Sequence, residues 1–264
     1  MSARRLCVVC AVLMLVAGCG TKPLAPPSQS QRSSQTGQQE ASPQYRAQLH
    51  TELASGYYER GQMDIALQEL GQAAALDPEN AQTYNIYGLV YATMGDTRKA
   101  EQSFEHALQL APNDSDIRHN WGWYLCQHNR ERESLAQFEA AATNPLYKAP
   151  EIALVNAGRC AQRLGDAALA EQYFRRALGA QPGNAMSNYG LALLAFRGGR
   201  YEEARGWMKS VMLTNNPPPE GLYLGMCVER KLGDKQAELS YVSQLRNRYP
   251  DSAETKGLAT GTCE

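Results

Sequence analysis

Seven cysteines and four histidines carry most of the nucleophilic, redox and metal-binding capacity of this 264-residue chain, so their spacing decides what chemistry is available. His50, His106, His119 and His128 are scattered, and no two stand at the helical spacing that turns a pair of imidazoles toward one zinc ion. They read as polar residues of a surface or groove. No glycine-rich loop is placed to cradle phosphates, and no nucleophile elbow presents a serine. The acidic residues fall mainly on helical faces, where solvation accounts for them. Catalysis, a metal, a cofactor and a small-molecule substrate are therefore not expected. Cys7-Val8-Val9-Cys10 has the spacing of a redox pair but lies in an apolar N-terminal stretch. What remains is acylation or cross-linking, at Cys19 on one side and at Cys126, Cys160, Cys227 and Cys263 on the other.

Cys19 closes the run Leu15-Val16-Ala17-Gly18-Cys19, behind a positive start at Arg4 and Arg5 and an apolar segment over residues 6–16. That segment is shorter than the roughly 20 residues a membrane-spanning helix needs. The order of charge, apolar core and small residues is that of a removed leader. Val16-Ala17-Gly18-Cys19 resembles the lipobox of bacterial lipoproteins, which implies cleavage before Cys19, a thioether-linked diacylglycerol on its sulfur and an acyl chain on its new amine. Residues 1–18 thus read as a lipoprotein signal peptide, and Cys7 and Cys10 leave with it. Gly20 rather than aspartate follows the cysteine, which points to the outer membrane. Several acyl chains, each methylene contributing about 0.8 kcal/mol, would hold the protein there without a spanning helix.

Residues 19–44 are rich in Gly, Thr, Pro, Ser and Gln and nearly empty of large apolar side chains, too little to offset the entropy of ordering. They read as the lipidated cysteine and a flexible tether, whose average reach is about 25 to 30 Å. Losing Arg4 and Arg5 with the leader moves the formal charge from -1 to -3, so nothing suggests nucleic acid. Residues 45–264 hold the aromatic and aliphatic residues and form the folded part.

That part repeats. Pro78 and Pro112 are 34 residues apart, as are Gly61 and Gly95. Units opening at Ala47, Ala81, Ser115, Glu151, Ala185 and Pro219 place a small residue on a first helix against a large one on a second, as in Gly88 with Phe104 and Gly158 with Phe174. These positions resemble the tetratricopeptide repeat. Two antiparallel helices approach closely only where Ala or Gly sits at their crossing and a bulky ring fills the gap beside it. Gly61, Gly95, Gly165, Gly199 and Gly233 fall at the turn between helices, and Pro78, Pro112, Pro182 and Pro250 end the second helix. The third unit departs with Asn129 at the turn, Ser134 for alanine and extra residues at Asn144-Pro145-Leu146-Tyr147, and the sixth with Glu238 for alanine. The fold expected is all-α, a right-handed solenoid of about six helix-turn-helix repeats whose first helices build a concave wall. Tyr58, Leu89, Trp123, Tyr189 and Phe196, with Val155, Arg159, Leu193 and Tyr223, fall on or near that wall, a composition suited to gripping a protein partner. Thr51 and Ser55 stand where a clamp for a terminal carboxylate would need Lys and Asn.

The periplasm is oxidising, so four remaining cysteines favour disulfides. Cys126 and Cys160 occupy near-equivalent positions on the first helices of adjacent units, within one helix diameter. Of the three connectivities, the default joins Cys126 to Cys160 and Cys227 to Cys263.

A lipobox, a polar tether and six such units, with Asn120-Trp121-Gly122-Trp123-Tyr124-Leu125-Cys126 and the Asn144-Pro145-Leu146-Tyr147 insertion, resemble the PilF/PilW lipoproteins of type IV pilus biogenesis. The resemblance implies a non-enzymatic pilotin in the outer membrane, its repeats facing the periplasm, that binds the pilus secretin subunit and promotes its localisation and multimerisation. The repeats alone imply only protein binding, which leaves a scaffold for another outer-membrane assembly or export machine as the alternative.

Overall fold

The computed structural model describes residues 42–259 and 261–263; Cys19, its leader and most of the tether lie outside them. Twelve helices alternate as first and second members of six antiparallel pairs: α1 (Pro43–Glu59) with α2 (Met63–Leu76), α3 (Ala81–Met94) with α4 (Thr97–Leu110), α5 (Ser115–Gln127) with α6 (Glu131–Ala142), α7 (Pro150–Arg163) with α8 (Ala167–Ala180), α9 (Ala185–Arg197) with α10 (Tyr201–Met212), and α11 (Pro219–Leu232) with α12 (Lys235–Arg248). A short α13 (Ala253–Gly257) follows. The fold is an all-helical tetratricopeptide array.

Local sequence sets the helix ends. Gly95, Gly165 and Gly233 take φ of 78°, 81° and 81°, the left-handed conformation that closes a first helix. The aspartate after each, Asp96, Asp166 and Asp234, accepts the backbone N–H of Lys99, Leu169 and Ala237 and starts the second helix. Asn80, Asp114 and Asn184 cap the next first helix in the same way. Asn129 does the work of glycine with φ 59°, a conformation asparagine tolerates better than other non-glycine residues. At the array's start Ser42 Oγ accepts the Tyr45 N–H at 3.2 Å and Pro43 fills the first helical position. Helix α1 therefore reaches two residues into the segment that composition assigned to the tether.

Within each pair the crossing is as tight as the repeat demands. A Cβ on Gly88 would stand 2.7 Å from the Phe104 ring, and one on Gly158 2.6 Å from the Phe174 ring. Phe174 is closed from its other side too, because a Cβ on Gly190 of the following helix would meet it at 2.5 Å. That second contact was not evident from the repeat pattern. In the last pair the small residue shifts by one: Gly225 packs on Tyr241, where an added Cβ would stand 2.7 Å from the ring.

The departures from the ideal repeat each have a local reason. Ser134 is fully buried and its hydroxyl donates to Gly122 O at 2.7 Å. The extra residues before α7 are held by Asn144, whose amide donates to Asn113 O at 3.2 Å and Ser115 Oγ at 2.9 Å. They leave Leu146 85% exposed and tuck Tyr147 against the core, where burial beside Asp116, Glu151 and Asp114 pushes its phenol up to about 12. Glu238 is buried, with Arg230 Nε at 2.8 Å and Lys235 Nζ at 2.9 Å, and these two cations hold its carboxyl below the usual range.

The backbones of successive first helices approach one another, α1 to α3 through to α9 to α11, whereas those of successive second helices stay further apart and are bridged by long side chains, as where Arg176 of α8 reaches Glu139 of α6 at 2.7 Å. A stack close on one side and open on the other curves toward the close side, so the first helices build the concave wall. Polar rungs fix their spacing: the Thr51 and Thr83 hydroxyls share a hydrogen bond at 2.8 Å, Asn120 donates to Asn85 at 3.1 Å, and Asn156 lies 3.3 Å from His119 Nε2. Cys126 bonded to Cys160 ties α5 to α7 at the junction that the insertion enlarges.

Gly190→Ala is expected to lower stability by about 1 to 3 kcal/mol, since the new methyl overpacks Phe174. Gly206→Ala, at an exposed position within α10 with nothing near its Cβ, should raise it by about 0.5 to 1 kcal/mol through helix propensity alone. Urea denaturation of both variants checks the pair; equal effects would contradict the packing.

Candidate protein-binding groove

The repeat's offsets assign the fifth, ninth and twelfth positions of each unit to the wall side of its first helix, and the exposure and character of the side chains there change along the array. In the first two repeats Tyr58 and Leu89 are half-buried and pack beside a cluster built on Ala54, Leu70 and Val90. In the third, Trp123 is 40% exposed. It lines a cavity of about 550 Å³ with Gln162, Leu193, Arg159 and Arg197. An adjoining cavity of about 480 Å³ shares Arg159, Gln162 and Leu193 and reaches Tyr189 and Met186. Tyr58, Leu89, Trp123 and Tyr189 thus keep surface on or beside the wall. Phe196 does not: its ring is 7% exposed and packs against Tyr201 at a centroid distance of 5.5 Å. The first residue of α10 closes over it, so it belongs to the core between α9 and α10. Asn85 and Val155 are likewise buried, the former within the polar rungs.

Burial also sets the electrostatics. Desolvation lowers the pKa of the His119 imidazole, whose buried Nδ1 has no hydrogen-bond partner among the described residues. Burial, with Glu220 nearby, raises the Tyr189 phenol. Arg159 and Arg197 make no hydrogen bond or ion pair to any described residue, unlike Arg163 at the same cavity, which lies 3.7 Å from Glu131. Among the described residues no group of His, Cys, Asp and Glu is assembled to hold a metal ion, and no helix is long and apolar enough to cross a membrane.

At the sixth repeat the wall is already covered. The chain turns back after α13, and its last described residues lie along α11: the Tyr223 hydroxyl donates to Thr262 O, Cys227 is bonded to Cys263, and Arg230 Nη1 donates to Gly261 O at 2.8 Å. Tyr223, Cys227 and Arg230 are the fifth, ninth and twelfth residues of their unit, so the tail sits where a partner would sit elsewhere. Sequence reasoning placed Tyr223 on an open wall. The available signal was Cys227 at a wall position together with a cysteine in the tail.

Cys263→Ser should leave the helices intact and loosen this tail, so that limited proteolysis trims the C-terminal residues of the variant several-fold faster than those of the parent. Equal trimming would mean that the hydrogen bonds of Tyr223 and Arg230 suffice to hold it.

With this geometry in view, comparison with known proteins is informative. Sequence models of the tetratricopeptide repeat match residues 55–95, 81–114, 119–185 and 155–212. The crystal structure of PilW, described as a widely conserved type IV pilus biogenesis factor, is 31% identical; the match covers 81% of this chain and 98% of that one, with a TM-score of 0.71. The type IV pilus assembly protein PilF of Pseudomonas aeruginosa is 23% identical over 78% of this chain and 81% of its own. A solved structure of Pseudomonas aeruginosa PilF superposes with a TM-score of 0.73 at 22% identity over 82% of this chain and 98% of that one, a likeness of fold. The helical pairs, the repeat spacing and the near-complete coverage of PilW agree, and the chain belongs to the PilF/PilW family of type IV pilus biogenesis factors.

Proposed function

We propose that the chain is a lipid-anchored outer-membrane scaffold that binds the type IV pilus secretin subunit, promotes its localisation and multimerisation, and performs no chemistry of its own. Family membership over nearly the whole of PilW is the observation that carries this reading. The lipobox-like run ending at Cys19 supports the anchor, and the half-buried Tyr58 and Leu89 with the exposed Trp123 support a protein-binding wall in the first three repeats. Aromatic side chains that are partly solvent-accessible on a rigid concave surface can anchor a partner at little entropic cost.

Two variants test the two halves of the reading. Cys19→Ser is expected to remain unprocessed or mislocalised and to leave the outer-membrane fraction; normal processing and fractionation would contradict the anchor. Tyr58→Ala combined with Trp123→Ala removes two anchors of about 2 kcal/mol or more each and should abolish secretin multimers on blots of a strain in which the folded variant still fractionates with the outer membrane. Deletion of the gene should remove multimers and twitching. Normal multimers with a general porin defect would instead place the protein with another outer-membrane assembly machine.

A further inference from the structure

The C-terminal tail shows how this wall holds an extended chain. At the sixth repeat a tyrosine hydroxyl from position five and a guanidinium from position twelve donate to backbone carbonyls of residues 262 and 261. Of the two preceding repeats, the fifth offers one such donor with nothing on it. Position five of the fifth repeat is again a tyrosine, Tyr189, whose hydroxyl has no hydrogen-bond partner among the described residues. Position twelve of the fourth is Gln162, whose side-chain nitrogen is buried without a partner. Between them the two adjoining cavities run on as one surface through Arg159 and Leu193.

We infer that repeats four and five form a docking surface, separate from the Tyr58 and Leu89 region, for an extended peptide segment of a partner protein that carries an Asp or Glu side chain between apolar residues. Charge complementarity argues for the acid: Arg159 and Arg197 face one cavity with no carboxylate to neutralise them, and a carboxylate between two guanidiniums gains charge-assisted hydrogen bonds. Its place is in the cavity that Arg159 and Arg197 share, because Glu220 lines the Tyr189 end and repels it, and Glu171, in the cavity beyond Arg197, is already paired with Arg175. Apolar surface lies on both sides of the arginines, with Trp123 toward the third repeat and Leu193 and the 47% exposed Met186 toward the fifth. A segment can continue in both directions, which fits an internal side chain and not a chain terminus. The Tyr189 hydroxyl supplies a donor for one of its backbone carbonyls, as Tyr223 does for the tail.

The test is selection of a random displayed-peptide library on the full chain, followed by fluorescence anisotropy of individual selected peptides. The expected peptides carry one acid flanked by apolar residues. Their affinity should fall about tenfold or more for Arg159→Gln with Arg197→Gln, and replacing the peptide's own Glu by Gln should cost as much against the parent but little against the double variant. Tyr189→Phe should weaken binding to a smaller degree, and Tyr58→Ala should leave it unchanged, so this site and the secretin-binding surface fail or stand independently. Thermal unfolding of the variants, expected to match the parent because both arginines are exposed, guards against loss of fold. An absence of selected binders, binders without an acid, or affinities indifferent to Arg159 and Arg197 would each overturn the proposal.

Discussion

The close crossing of two antiparallel helices is the constraint from which the rest of this molecule follows. At Gly88 and Gly158 a single added carbon would stand within 2.7 Å of a phenylalanine ring, closer than non-bonded carbons approach in packed interiors. Glycine at these crossings lets the ring of the second helix lie flat on the backbone of the first. A pair packed this tightly buries one face and leaves another apolar face open, which only the next pair can cover. The Phe174 ring records that step: Gly158 of its own repeat lies on one side of it and Gly190 of the following repeat on the other. The backbones of first helices are drawn close to one another, those of second helices stay further apart, and the curvature that makes a concave wall is the result.

Along that wall the backbone is regular while the chemistry is not. Buried or part-buried hydrogen bonds between neighbouring first helices, from Thr51 to Thr83, Asn85 to Asn120 and His119 to Asn156, hold their spacing through the first four repeats. Such bonds are costly to leave unmade in a low-dielectric interior, so they specify register as well as stability. Where the insertion before α7 interrupts the period, Cys126 and Cys160 add a covalent tie across the same junction. Surface chemistry then passes from aromatic and aliphatic at Tyr58 and Leu89, through Trp123, to the arginines of the fourth and fifth repeats, and ends under the tail.

The last repeat is a cap rather than a worn copy of the others. Glu238, in place of alanine, binds Arg230 and Lys235, and Arg230 in turn holds the Gly261 carbonyl. A carboxylate that would be disruptive between two repeats becomes useful where the following segment lies back along α11, because it organises the cation that fastens the tail. A covered terminal unit limits the open wall to the five repeats before it.

By itself the sequence determined the period, the helical pairs, the left-handed turns and the crossings, because each depends on residue type at a fixed offset: glycine or asparagine where φ must be positive, a small residue where backbones meet, proline where a helix must stop. Cys126 and Cys160 were legible as neighbours for the same reason. Tertiary structure alone decided which wall positions keep solvent access. Phe196 and Trp123 are both aromatic residues of a first helix, yet Tyr201 covers one while the other stays 40% exposed. It also decided that residues 261–263 lie along Tyr223 and Cys227, and that Arg159 and Arg197 share a cavity without a counter-charge. Offsets along a chain report what one element offers; whether a surface is filled depends on how neighbouring elements meet it, and that is settled only when the array has closed on itself.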